Sequence, residues 1–216
     1  MAVKALVIDL DGTLYHHEKE LSADIASARR IERYIARHRP RKIGKQLSER
    51  ERKRLIGQRK LSALILRTCE AYDVSREGLS RYAYDIDPAD YGIGKDARLT
   101  RLLEKAARRY RLFLFTNGYP NWVRKVLKAI GISKFFNHKN TVHMGMLIYG
   151  IKPSAGAFRV LADAAGVDTG EMLLIDDSAK NVAAAKRLGM KAVLAQGSDG
   201  MPIYAILEEL CKGAES

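Results

Sequence analysis

The stretch VKALVIDLDG, residues 3–12, is apolar from Ala5 to Ile8 and then meets two carboxylates, Asp9 and Asp11, one residue apart. A short aliphatic run of this kind reads as a strand buried on both faces, which calls for a parallel sheet covered by helices. Two acids at the end of such a strand repel each other, and neither tolerates burial unpaired. The chain must therefore supply a cation, or bind one, where this strand stops.

The pattern recurs. RLFLFTN (111–117) and MLLIDD (172–177) are apolar runs ending in polar residues, and KAVLAQ (191–196) is a fourth run. Helical segments separate them: ARLTRLLEKAARRY before the second run, NWVRKVLKAIG after it, SAGAFRVLADAAG from Ser154 to Gly166, and SAKNVAAAKRLG from Ser178 to Gly189. Strand and helix alternate, so the fold class is α/β, a three-layer Rossmann-like parallel sheet. TVHMGMLIYG (141–150) reads as a small hairpin beside it.

Residues 16–90 differ. Ile25, Ala28, Ile31 and Ile35 recur at helical spacing, and Leu61, Leu64, Ile65, Thr68 and Tyr72 line a second helical face. The segment is an α-helical insert placed after the first strand, between core segments 1–15 and 91–216. It also carries most of the formal charge of +13: between Ala28 and Lys60, fourteen Lys/Arg face three acids. Such a surplus attracts anions, whether a phosphorylated small molecule or nucleic acid. No nucleic-acid-binding motif accompanies it, which makes nucleic acid the weaker alternative. Arg29, Arg33 and Arg37 are spaced to form one basic stripe. No apolar run approaches the ~20 residues that span a bilayer. Cys69 and Cys211 form no CxxC pair, and no leader pattern opens the chain, so a reducing cytoplasm is the expected setting. Oligomeric state is not encoded in any of these features.

In an open α/β sheet, ligands bind beyond the carboxyl ends of the strands. Asp9 and Asp11, Thr116 and Asn117, and Asp176 and Asp177 all fall there, with Lys152 following the expected hairpin. Carboxylate oxygens suit a hard cation such as Mg²⁺. An aspartate beside that ion can attack phosphorus, and a second acid can shuttle the proton. A hydroxyl and a lysine can hold phosphoryl oxygens. Tyr15, Tyr119 and Trp122 offer either an aromatic wall for a base or ordinary packing, and packing is the simpler reading for Trp122.

DLDGTLY, LFLFTN, Lys152 and LLIDDSAKN resemble, in order and spacing, the four motifs of the haloacid dehalogenase (HAD) superfamily of phosphatases. The resemblance implies a HAD-like core with a helical cap at 16–90, and an Mg²⁺-dependent phosphomonoester hydrolase working through an aspartyl-phosphate. By position, Asp9 would be the nucleophile, Asp11 the general acid/base, and Thr116 a phosphoryl ligand helped by the backbone of Asn117 and Gly118. Lys152 would neutralise charge. The metal would sit among the Asp9 carboxylate, the Asp11 carbonyl and Asp177, with Asp176 direct or through water, and Asn181 would orient. Asp11 separates the chain from the metal-free dehalogenases, which lack this acid. TLYHH, RRIERYI and YDIDPADYGI resemble the pyrimidine 5′-nucleotidase-like branch, implying a nucleoside monophosphate as substrate. The alternative is a phosphatase or phosphomutase for another small ester, such as phosphoglycolate or a sugar phosphate.

Overall fold

The computed structural model describes residues 2–15, 30–35, 37, 65, 68–69, 72–147, 150–195 and 202–212. The chain divides into two compact units, one made of Met1–His17 with Gly92–Ser216 and the other of Glu18–Tyr91.

The first unit is built on five parallel strands: β1 (Ala5–Ile8), β2 (Arg111–Phe115), β3 (Thr141–Val142), β4 (Met172–Asp176) and β5 (Lys191–Leu194), in the order β3-β2-β1-β4-β5. β1 is central, its Ile8 paired with Leu114 of β2 and Ile175 of β4. Every residue of β1 and β4 is buried, as continuous apolar runs require when both sheet faces are covered. On one face Val7, Phe113, Phe115 and Leu174 meet Phe158 and Leu161 of a helix and Ala184 and Ala185 of another. Phe115 and Phe158 meet edge to face, with centroids 5.3 Å apart. The sheet order reverses direction at β1, so the crevice for a ligand opens at the carboxyl ends of β1, β2 and β4.

Four helices of this unit lie on the segments the sequence predicts, although Ala97–Ala107 stops short of Tyr110 and Ala179–Arg187 short of Gly189. A fifth, Ile203–Cys211, is not among those predicted. Ala97–Ala107 starts at Asp96, whose side chain accepts from Leu99 N at 2.8 Å. Pro120–Ile130 follows β2 with Pro at its first turn, Ala155–Ala165 starts at Ser154, and Gly131 and Gly166 end these two helices. Ala179–Arg187 follows β4. The last helix, Ile203–Cys211, docks on Ala97–Ala107, with Tyr204 Oη donating to Asp96 at 2.6 Å and Arg98 paired with Glu208 at 2.8 Å.

One sequence expectation fails here. Residues 141–142 form no hairpin: β3 runs parallel to β2 as an edge strand, and a 3₁₀ turn at Met144–Met146 follows. The turn arises because Met144 N is drawn back to Gly118 O at 3.0 Å instead of to an antiparallel partner.

In the second unit, residues 30–35 are helical, with Ile31 and Ile35 buried, and a further helix spans Arg76–Ala83. Ile65 and Thr68 of the second expected face are buried too. Arg30 donates to the Tyr82 carbonyl at 2.8 Å and lies 4.8 Å from the centroid of the Tyr82 ring, while Arg37 stands 6.0 Å from it. Part of the basic segment is thus engaged inside its own unit. Arg29, Ile25, Ala28, Leu61 and Leu64 lie outside the described residues. Among the described residues, no helix is long and apolar enough to cross a membrane.

Candidate active site

Asp9 follows the last paired residue of β1, and Asp176 closes β4 directly beside it. Lys152 reaches this point from the loop before Ala155–Ala165. It is 2% exposed, and its Nζ donates to Asp9 Oδ1 at 2.6 Å, Asp176 Oδ2 at 2.7 Å and the Phe115 carbonyl at 2.6 Å. All three ammonium protons therefore have acceptors. Burial pulls the Lys152 pKa down, but Asp176 and Asp9 more than reverse this, and it is raised.

The lysine does not balance the acids. Burial, then the negative neighbours Asp176, Asp177 and Asp11, push Asp9 up to about 8 despite Lys152. Oxygens of Asp9, Asp176 and Asp177 all lie within 4.8 Å of one another. This surplus of close, oxygen-only donors fits a hard divalent cation, which would return Asp9 to its ionised form. The three acids are unequal donors. Asp176 is fully buried, and its Oδ1 accepts from Ser178 N (2.9 Å) and Asn181 Nδ2 (2.8 Å). Its Oδ2 accepts from Lys152 and, at 3.0 Å, from the same Asn181 nitrogen. Asp177 is exposed beside Gly12. Asp9 and Asp177 are therefore the acids with room for an ion, with Asp176 held behind them.

Gly12 has a φ of +87°, and a Cβ there would run into the Asp177 carboxylate. Only glycine meets both conditions. Thr13, to which sequence reasoning gave no role, ties the two motifs together. It is fully buried, donates to Asp9 Oδ2 at 3.2 Å and accepts from Asp177 N at 3.0 Å. Its place four residues after the first acid is the only signal the sequence held.

At the end of β2, Thr116 Oγ1 accepts from Gly118 N at 2.8 Å and makes a long contact, 3.4 Å, to Asp11 Oδ2. A Cβ on Gly118 would stand 3.1 Å from Thr116 Oγ1 and 3.3 Å from Asp11 Oδ2, a tight fit that would press on both side chains. The Asn117 side chain works away from the cleft: its Oδ1 accepts from Lys152 N at 2.9 Å and its Nδ2 donates to Lys152 O at 3.1 Å. This amide pair fixes the lysine's main chain as a strand neighbour would.

Asp11 closes the other side. Its Oδ1 accepts from Trp122 Nε1 at 2.8 Å and from the Tyr15 hydroxyl. Trp122 and Tyr15 are both buried, so neither presents a face on which a base could stack. Trp122 is packed, as the simpler reading held, but its indole N–H also reaches the site. Burial and then Asp11 hold the Tyr15 phenol well above its usual pKa, which keeps it a donor.

Residues 3–189 match the family described as haloacid dehalogenase-like hydrolase. The chain belongs to that family. Within it, the hydrolase is of the phosphatase type, as its similarity to a phosphatase and the metal-suited acids around Asp9 indicate. It is 29% identical over 203 residues to a phosphoglycolate phosphatase of Rhodospirillum rubrum, covering 88% of this chain and 78% of the relative. Among the solved structures that share the fold are two phosphate complexes. CbbY from Rhodobacter sphaeroides, in complex with phosphate, is 19% identical with a TM-score of 0.62, covering 90% of this chain and 87% of that one. A HAD-family enzyme of Bacteroides thetaiotaomicron, bt-2542, in complex with magnesium and inorganic phosphate, is 19% identical with a TM-score of 0.50, covering 92% and 97%.

Proposed function

We propose that this hydrolase cleaves a small phosphomonoester through a covalent intermediate on Asp9, with esters the size of phosphoglycolate or a sugar phosphate as its substrate class. The observation that carries the reading is the buried Asp9–Lys152 pair at the end of the central strand, two residues from a second acid with different partners. In the first half-reaction an Asp9 oxygen attacks phosphorus, the bond from phosphorus to the alcohol oxygen breaks, and Asp11 gives that oxygen a proton. In the second half-reaction Asp11 takes a proton from water as the water oxygen attacks phosphorus and the bond from phosphorus to the Asp9 oxygen of the acyl phosphate breaks. Lys152 holds Asp9 in place and, together with a bound cation, would favour its ionised form. The Thr116 hydroxyl and the Asn117 N–H receive phosphoryl oxygens, with Gly118 N–H fixing the Thr116 rotamer. Asp9, Asp177 and the Asp11 carbonyl would hold Mg²⁺, which would supply charge compensation to the phosphoryl group. Asn181 orients Asp176.

The unit Glu18–Tyr91 is the cap that selects the substrate, and its surplus positive charge favours an ester carrying a further anionic group. The similarity to a phosphoglycolate phosphatase supports such a substrate over a pyrimidine nucleotide, which rests on short sequence resemblances alone. Phosphate release from phosphoglycolate, sugar phosphates, UMP and CMP, with Mg²⁺ or EDTA, tests the reading. Turnover concentrated on the first two and abolished by EDTA is expected. Turnover confined to UMP or CMP would return the substrate to pyrimidine nucleotides. Asp9→Asn is expected to lower kcat on the order of 10⁴-fold with an unchanged circular dichroism spectrum. A variant that keeps its rate removes the covalent step.

A further inference from the structure

Two buried donors from different parts of the chain converge on one oxygen of Asp11. Trp122 lies in the first turn of the helix after β2, and Tyr15 lies in the turn after β1, bridged to Asp11 through the backbone. Both reach Oδ1. The other oxygen, Oδ2, points to the opposite side, toward Thr116 Oγ1 at 3.4 Å and the Gly118 backbone. That is the loop on which the proposed phosphoryl group rests.

We propose that Trp122 and Tyr15 are positioning residues that occupy Asp11 Oδ1 with two donors and so assign proton transfer to Oδ2. The inference rests on the phosphatase reading above and deepens it. A carboxyl group whose Oδ1 already accepts two hydrogen bonds carries its acidic proton on the other oxygen, because a proton on Oδ1 would face two N–H and O–H donors. In the first half-reaction the Oδ2–H bond breaks and its proton passes to the departing alcohol oxygen. In the second, Oδ2 recovers a proton from the attacking water. The pair also fixes the carboxylate torsion. An indole N–H and a phenol serve this task well, since neither changes charge when Asp11 does.

Purely structural roles for Trp122 and Tyr15 make a different prediction, and the leaving group separates the two. An alkyl alcohol needs a proton to depart, whereas p-nitrophenolate does not. Trp122→Phe and Tyr15→Phe each delete one donor while keeping an aromatic ring. The measurement is kcat/KM, which reports the steps through leaving-group departure. It is taken on p-nitrophenyl phosphate and on the alkyl phosphate that the wild type turns over fastest. Each variant is expected to lose about tenfold or more on the alkyl ester and less than about twofold on the aryl ester. The variants should also release a burst of p-nitrophenol, because hydrolysis of the Asp9 acyl phosphate still depends on Asp11. Equal losses on both esters, or no loss on either, would overturn the proposal and leave the phosphatase reading standing. A folded wild type silent on both esters with Mg²⁺ removes that reading and this inference with it. Should Trp122→Phe fail to fold, Tyr15→Phe, which lacks a single oxygen atom, carries the same expectation.

Discussion

On the Lys152 side of the cleft, Asp9 and Asp176 share one buried ammonium, while on the Trp122 side Asp11 takes its hydrogen bonds from an indole, a phenol and a hydroxyl. The two carboxylates, Asp9 and Asp11, are separated by a single residue, so the difference is not one of location. It follows the work each acid is proposed to do. A nucleophile must be an anion when it attacks, and the fixed charge beside it favours that state, which a bound cation would complete. A proton shuttle must be stable in both states, and uncharged donors penalise neither. The charged side is therefore rigid in its electrostatics, and the uncharged side is rigid only in its geometry.

The largest effect should come from breaking the charged side. Lys152→Ala leaves Asp9 and Asp176 buried against each other, and loss of one partner of a buried ion pair costs about 3–5 kcal/mol. Urea unfolding of wild type and variant in EDTA measures it, and a difference under about 1 kcal/mol would mean that the acids discharge without cost. The next effect is one of pH. The Asp9 carboxyl moves from 3.8 to about 8 on folding without metal. Below about pH 4 it is protonated in both states and its contribution is fully present. As pH rises toward 8 the unfolded chain ionises and the folded one does not, so stability falls across that window. Mg²⁺ opposes this by favouring the ionised form, and its rise in unfolding midpoint should be larger at pH 8 than at pH 5. The smallest effect belongs to the uncharged side: Trp122→Phe should cost only about 1–2 kcal/mol in the same urea experiment. A cost equal to that of Lys152→Ala would erase the contrast.

The sheet and the strand-end acids were legible because both are local. Four buried runs, the acids Asp9, Asp11, Asp176 and Asp177, and the caps at Ser154, Gly131 and Gly166 each announce themselves within a few residues. Thr13 and Asn117 were not read in the same way. Their importance lies in partners far along the chain, Asp177 in one case and the Lys152 main chain in the other, and no spacing rule encodes a hydrogen bond across 164 or 35 positions. Trp122 misled for a related reason. A tryptophan at helical spacing is ordinary core, and packing is indeed where its ring goes. Its N–H, however, is a separate functional group that needs an acceptor once buried. The short β3 was misread because Thr141 and Val142 form too brief a pair to declare their direction.

Trp122 is also the only tryptophan in the 216 residues. The indole emission of the unlabelled protein therefore arises from one fluorophore, a single hydrogen bond from the proposed proton donor. Phosphate analogues, metal addition and each half-reaction can be followed through it in a stopped-flow instrument, with no second indole to dilute the signal.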